Sequence, residues 1–498
     1  MSSLLLLPRL LILSLLTNLA FSQQAQQPLV SSSLLLPTLN QQSLSSHAIS
    51  FSTFASQSPS KDRAIGTEGH KLSLSYIRQK LGDTGYYDIS EQNFNIAVSR
   101  GTASLDIGGK KYDGFTMTHS PSGKVSAAVV AVAGYGCDPT NYRELEKMEG
   151  TIALIKLGGC QFGEQVARAG AAGAKGVIIY GGMPINKDQE RAITLTLAER
   201  KEIGPYVPVI GVDEKYGAKL LAAAKDKKIV NIDVQVKNQW IMTTNVIAET
   251  KGGAKDKVVA IGSHTDTVPG SPGINDNVSG AGAALEIALQ LSKFSVNNAV
   301  RFLFFSGEEN EMVGSDYYMA SLDEKSRQNF ALYLNVDIIA SKNHGYFVYD
   351  GSSKKVPVPP GSRQVQDVFD KYFQSVGIKS LPIYTEEPRG DYKAFMTSNI
   401  PIGGIHSGAD FPKSEEQVKI WGGQAGEPFD KNYHQPGDTI ENIDLSVWLN
   451  HTKALGHAIA TFSRDVSGVP KLKEGQKLPL RKLKIRGVEN RHPQFVKA

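Results

Sequence analysis

Three hydrophobic runs in this chain end in side chains that bind cations: VVAIGSH stops at His264, FLFFSGEE at Glu308 and Glu309, and LYLNVD at Asp337. The loop GINDN adds Asp276, twelve residues after His264, and NYHQPGDT adds His434. Imidazole mixed with carboxylate suits zinc, and the lack of cysteine in the set speaks against a purely structural zinc site. A single catalytic zinc takes three protein ligands. Five ligands (His264, Asp276, Glu309, Asp337 and His434), with Glu308 to spare, instead fit two metals about 3.5–4 Å apart bridged by one carboxylate. Taken singly, each residue has an ordinary alternative: a strand-end histidine packs, an aspartate shapes its turn, a glutamate pair starts a helix. Taken jointly they do not, because buried apolar strands would then deliver several unpaired charges to one sheet edge.

The elements that must position these residues alternate along the second half of the chain. Strand patterns at VVAIGSH, AVRFLFFSG, ALYLNVDII and IPIGGIHSG are separated by helical patterns over Ala281–Leu291, around Ser315–Ala320 and over Gln364–Val376, with a last helix over Leu445–Phe462. Such alternation predicts an α/β fold, a mixed but mainly parallel sheet flanked by helices, with ligands collected at the carboxyl ends of the strands. Asp276 has to reach both metals, and PGSPGINDN supplies glycines for the backbone angles of a tight turn. Upstream, EGHKLSLSYIRQKLG predicts an amphipathic helix ending near Gly82. Residues 101–239 then change to short β-branched runs between Gly/Pro turns (KVSAAVVAVAG, GTIALIKLG, KGVIIYGG, YVPVIGV), the pattern of an inserted β-rich domain. The expected organisation is one domain from 61–100 and 240–468, interrupted by a second over 101–239.

The flanks carry their own signals. MSSLLLLPRLLILSLLTNLAFSQQ has one early charge, Arg9, a Leu/Ile-rich run to Leu16 and small residues Ala20 and Ser22, which reads as a signal peptide over 1–22. Pro8 and Arg9 interrupt the roughly 20 apolar residues an anchor needs, so no membrane span is expected. Secretion follows as the expected fate, with a vacuole as the second destination. Residues 23–60 contain no Asp, Glu, Lys or Arg and read as a pro-segment or N-terminal arm. Residues 469–498 hold nine Lys/Arg against two Glu, a net of +7, which leaves −2 for the rest of a chain at +5. A basic tail on a near-neutral body, without interleaved aromatics, argues against nucleic acid as a partner. In an exported protein the two cysteines, Cys137 and Cys160, predict a disulfide, with two free buried thiols as the alternative. Two N-glycosylation sequons occur: Asn277-Val-Ser lies against the ligands and is expected to be unused, while Asn450-His-Thr on the last helix is the expected acceptor.

The motifs SHTDTV, GINDNVSG, FFSGEENEMVGS, LNVDII and NYHQPGDT, in this order and spacing, resemble those of the secreted dinuclear-zinc aminopeptidases, with a likeness to the fungal leucine aminopeptidase 2 group and to the vacuolar aminopeptidase Y of yeast. The resemblance spans about Lys61 to Ser467. Within it, GTIALIKLGGCQFGEQVARAGAAGAKGVIIY resembles a protease-associated domain. The resemblance implies a zinc exopeptidase fold, two Zn2+ per chain, and peptides with a free N-terminus as substrates, with an apolar first residue such as Leu preferred. It implies His264 and Asp337 on one zinc, Glu309 and His434 on the other, and Asp276 between them. Glu308 would be the general base, taking a proton from the attacking water and passing it to the leaving amine. Tyr433 would donate to the developing oxyanion. Asp266 would orient His264 through its second ring nitrogen, and Asp438 would do the same for His434. Arg389 and Asp391 fall where the family contacts substrate, but EEPRGDYKAF departs from the usual Ser-Asp-His form and assigns them no role. A monomer is the expected assembly, and a neutral to alkaline optimum is expected because protonated ligands release metal.

Two other readings share this scaffold. A carboxypeptidase of the glutamate carboxypeptidase type would continue into a large helical dimerisation domain, where this chain has residues 469–498. A non-catalytic receptor like the transferrin receptor would have lost ligands that this chain keeps.

Overall fold

The structure, a computed structural model, describes residues 27–471 except 118–119, 143–147, 159, 161, 182–202, 354–356 and 384–388. The expected signal peptide and all but the start of the basic tail lie outside the described residues.

The predicted amphipathic helix runs Glu68–Asp83, with Thr67 capping it by accepting the His70 amide. It leads into β1 (Tyr87–Ile107), followed by β2 (Lys110–Thr116), β3 (Gly123–Ala131), β4 (Ile152–Lys156), β5 (Gly176–Tyr180), β6 (Val209–Val212) and β7 (Ile229–Thr250). These close on themselves in the order β1-β2-β6-β5-β4-β3-β7, because β7 also pairs antiparallel with β1 from Tyr87↔Thr250 to Ile107↔Val230. Of the parallel strands β3 to β6, the inner β4, β5 and β6 read as continuous apolar runs because both faces are covered. Leu154, Ile178 and Ile210 face one core with the helix Glu214–Lys225, while Ile155, Val177 and Ile179 face the other with the helix Phe162–Ala171. Cys137 and Cys160 form a disulfide between the loops after β3 and β4.

The long strands β1 and β7 pass without interruption through positions 101 and 239 and join the α/β body. Its sheet continues as β7-β9-β8-β10-β13-β11-β12, with β8 (Ala254–His264), β9 (Asn298–Phe305), β10 (Phe330–Val336), β11 (Phe347–Tyr349), β12 (Leu381–Ile383) and β13 (Ile402–His406). Neighbours β9, β8, β10 and β13 are parallel, and the β7–β9 and β13–β11 pairings are antiparallel. The sheet is therefore mixed and mainly parallel. Helices Ser279–Leu291, Ser362–Ser375 and Leu445–Phe462 cover one face, and Val313–Ser321 and Tyr392–Thr397 the other.

The uncharged arm belongs to the first of these layers. Asn40 caps the helix Gln41–Ser56 by accepting the Ser43 amide, and Leu35, Leu39, Leu44, Ala48 and Phe51 are buried in the main core. Each buried Leu or Phe contributes about 1.5–3 kcal/mol as an upper estimate. Polar ties add to this: Arg464 Nη1 donates to Val30 O at 2.9 Å, and His47 Nε2 lies 3.2 Å from the buried Glu286 carboxylate. The described part of this segment is packed against the body. No helix among the described residues is long and apolar enough to cross a membrane.

Candidate metal centre

Strand β8 lies between β9 and β10, so their carboxyl ends are adjacent. His264 is the last residue of β8, and Asp337 follows β10 directly. After β9 the chain turns through Gly307, at φ +85°, into Glu308 and Glu309. Strand order thus gathers three of the predicted sources at one edge, as parallel α/β sheets do.

Asp276 reaches this edge on a loop whose Gly270 and Gly273 take the left-handed backbone expected of them, at φ +80° and +68°. The flanking asparagines pin it from both sides. Asn275 Nδ2 donates to Asp430 Oδ2 (2.6 Å) and Ser341 Oγ (3.0 Å), and Asn277 Nδ2 donates to Ser263 Oγ (3.1 Å) and Val336 O (3.0 Å). The Asp276–Asn277 peptide is cis. The next helix opens with small residues, and a Cβ on Gly280 would stand 2.5 Å from Val336 O, so glycine lets this helix sit against the end of β10.

One oxygen of Asp276 lies 3.1 Å from His264 Nε2 and the other 3.1 Å from His434 Nε2. Asp337 Oδ1 is 3.4 Å from His264 Nε2, and Glu309 Oε2 is 3.2 Å from His434 Nε2. The five side chains therefore form two sets that could each hold a cation, His264–Asp276–Asp337 and Asp276–Glu309–His434, sharing Asp276. Buried oxygens Glu309 Oε1 and Asp337 Oδ1 have no hydrogen-bond partner among the described residues. Unpartnered carboxylate oxygens in a buried imidazole–carboxylate cluster are what a divalent cation would satisfy, and the donor set suits zinc.

The electrostatics show how much negative charge is gathered here. Burial favours neutral imidazole at His264, but Asp276, Asp337 and Glu308 outweigh it and hold its pKa well above the ordinary histidine range. Burial likewise opposes charge on His434, and Glu309 and Asp276 override it. Burial pushes Glu308 well above the usual carboxylate range; His264 pulls the other way, and Glu309, Asp391 and Asp337 add to the rise. Burial also raises the Tyr433 phenol, helped by Asp276 and Glu309, so it remains a protonated donor. Its ring stacks on His434 with centroids 3.8 Å apart.

The surrounding residues differ in part from expectation. His264 Nδ1 donates to the main-chain oxygen of Asp266 at 3.1 Å, while the Asp266 carboxylate, 3.8 Å from Nδ1, accepts the amides of Gly307 (2.8 Å), Glu308 (3.3 Å) and Glu309 (3.4 Å). Asp266 thus ties the histidine strand to the glutamate turn. Asp438 is turned to the other ligand loop: its carboxylate accepts the Asn275 and Asp276 amides rather than a ring nitrogen of His434. Ile338, a β-branched residue at φ +48°, and His434, at φ +58°, hold left-handed backbone that costs on the order of 1–3 kcal/mol each. Ser407 N and Oγ, both donating to Ile338 O at 2.8 Å, fix the first of these.

Asp391 is buried beside the cluster with Oδ1 unpartnered, and burial raises its carboxyl to about 7. Arg389 is exposed. A residue not anticipated is His406, the last of β13: the pairing Val336↔Ile405 sets it beside Asp337, and its Nδ1 accepts the Gly408 amide at 2.7 Å. The histidine ending IPIGGIHSG repeats the pattern of His264 and was the available signal. Of the sequons, Asn277 is fully buried, and Asn450 is half-buried with Nδ2 donating to Tyr346 Oη at 3.1 Å.

Residues 245–459 match the model of peptidase family M28, and residues 125–220 match that of the PA domain. The chain is 38% identical over 444 residues to a probable leucine aminopeptidase 2 of Aspergillus oryzae, covering 89% of this chain and 88% of the relative. The chain belongs to peptidase family M28. This M28 peptidase is also 38% identical over 424 residues to the leucine aminopeptidase 2 of Trichophyton rubrum, covering 84% and 83% of the two chains. Among solved structures it resembles the aminopeptidase from Aneurinibacillus sp. strain AM-1, with 26% identity, a TM-score of 0.67 and coverage of 87% of this chain and 96% of that one. The zinc aminopeptidase BSAP from Bacillus subtilis shares the fold, at 22% identity, a TM-score of 0.63 and coverage of 91% and 98%.

Proposed function

We propose that this M28 peptidase, a zinc-dependent aminopeptidase, removes the first residue of peptides with a free N-terminus, preferring apolar residues such as Leu, and that it does so with two zinc ions per chain. The observation that carries this reading is the Asp276 carboxylate, with one oxygen 3.1 Å from each of the two imidazoles. His264 and Asp337 would hold one ion, Glu309 and His434 the other, and Asp276 both. When bound, zinc supplies Lewis acidity toward the scissile carbonyl and a lowered pKa for water. Glu308 takes the proton of the attacking water and passes it to the leaving amine, and burial, which raises its pKa, makes it a stronger base than an exposed carboxylate. Tyr433 donates a hydrogen bond to the developing oxyanion. The crowded carboxylates favour a substrate ammonium group over a substrate carboxylate, which supports release from the N-terminal end. The relatives named leucine aminopeptidase support the Leu preference.

The same reading extends to the whole chain. A signal peptide over 1–22 sends a monomer out of the cell, glycosylated at Asn450. The peptidase domain comprises 61–100 and 240–468, and the protease-associated domain 101–239. Purified protein should release p-nitroaniline from Leu-p-nitroanilide, lose that activity to a zinc chelator, ignore N-acetyl-Leu-p-nitroanilide and contain two zinc ions per chain by metal analysis. Hydrolysis confined to substrates with a free C-terminus would overturn the assignment, and a single ion at full activity would overturn the count.

A further inference from the structure

The segment KDRAIGTEGH, which runs into the helix Glu68–Asp83, sends three polar side chains into the interior. The largest, Arg63, is wholly buried, and burial lowers its pKa to about 10. Its guanidinium donates to main-chain carbonyls: Nε to Pro272 O at 3.1 Å, Nη2 to Gly273 O at 2.8 Å, and Nη1 to Thr265 O. Thr265 is the residue after His264, and Gly273 lies three before Asp276. One side chain therefore joins the two ends of the loop that separates two of the proposed metal ligands. Two neighbours reinforce the hold: Asp62 Oδ2 accepts the Gly270 amide at 2.8 Å, and the Arg63 amide donates to Thr267 Oγ1 at 3.1 Å. His70 Nε2 lies 3.1 Å from Thr265 Oγ1. The fit is close enough that a Cβ on Gly273 would stand 2.9 Å from Arg63 Nη2 and 2.4 Å from Asp276 O. From the N-terminal arm, the Phe51 ring packs against the guanidinium, 5.3 Å from Cζ to centroid.

We propose that Arg63 is a positioning residue for the metal centre, setting the spacing of His264 and Asp276 by bonding both ends of the loop to one rigid fork. Only a planar guanidinium can serve three carbonyls in fixed directions; an ammonium is a point donor on a flexible stem. The arm contributes through Phe51, which holds the plane of the fork.

This inference rests on the two-zinc reading above, and the experiment separates them. Zinc affinity, by competition with a chromogenic chelator, and the visible absorption of the cobalt-substituted protein are measured for the full chain, for Arg63→Lys and for Phe51→Leu, alongside kcat and KM. Expected for Arg63→Lys are a loss of zinc affinity of about 10–100-fold, a shifted cobalt spectrum and a fall in kcat with KM little changed, since partners behind metal ligands act at this scale. Phe51→Leu should move the same quantities by a smaller factor. Wild-type affinity and spectrum in a folded Arg63→Lys protein overturn the proposal while leaving the two-zinc enzyme intact. If that variant does not fold, Phe51→Leu decides, and wild-type affinity there overturns it equally. A wild-type protein that binds no zinc removes the functional reading itself.

Discussion

The carboxylate of Asp438 accepts the main-chain amide of Asp276 at 3.0 Å with one oxygen, while the other takes the amide of Asn275 at 2.8 Å. The proposed bridging ligand is thus aimed through its own backbone by a residue 162 positions away. Asp438→Asn places an NH2 group against one of these two donors. Zinc affinity should fall by about 10–100-fold, with the secondary structure unchanged by circular dichroism. Retention of full affinity would show that the loop holds its shape without this anchor.

Glu308 offers a separate test because it bonds to neither imidazole. Glu308→Gln should keep the zinc content while lowering kcat by at least ~100-fold. The pH profile carries the sign. The working form is the carboxylate, burial raises its pKa, and so kcat climbs with pH through that raised value and plateaus on the alkaline side. A rate maximum below pH 5 would remove Glu308 from the base role.

The arm bears on maturation. Leu44 is wholly buried in the main core, and Leu44→Ala should cost about 2–5 kcal/mol in denaturant unfolding. N-terminal sequencing of active enzyme should accordingly find the chain starting before Val30. An active form lacking the helix Gln41–Ser56 would contradict this.

Replacing Cys137 and Cys160 together by Ser should destabilise the inserted domain by about 3 kcal/mol, from the entropy of the loop the disulfide closes. Hydrolysis of Leu-p-nitroanilide should be unaffected at temperatures where that domain stays folded, because neither cysteine belongs to either ligand set. A matching loss of kcat would reveal coupling between the two bodies.

The parts of this molecule that could be read in advance share one property: their partners are implied by their own chemistry. Buried apolar runs ending in His264, Glu309 and Asp337 pointed to a shared cation site, and parallel strand order brings the three together in sets that could hold one. The helix Leu445–Phe462 and the turn glycines Gly270 and Gly273 were legible from periodicity and spacing for the same reason. What escaped notice were bonds to main chain, even at Asp266 and Asp438, which the sequence had singled out for other partners. Asp438 grips amides, Arg63 grips carbonyls, and the Asp266 carboxylate caps the 307–309 turn, none of which leaves a mark in the partner's side-chain type. The arm was ambiguous because its lack of charge suits burial and disorder alike, and only Leu35, Leu44 and Phe51 in the core decide between them.

Strands β1 and β7 stay in register along the whole 21-residue length of β1. The inserted domain is therefore mounted on a double strip of backbone rather than on two loose threads. Sliding one strip along the other would break every rung of the ladder together, whereas flexing the pair across its flat face breaks none. Such a mount gives the domain a fixed bearing without a latch, because the ladder that carries the chain into it also resists slippage.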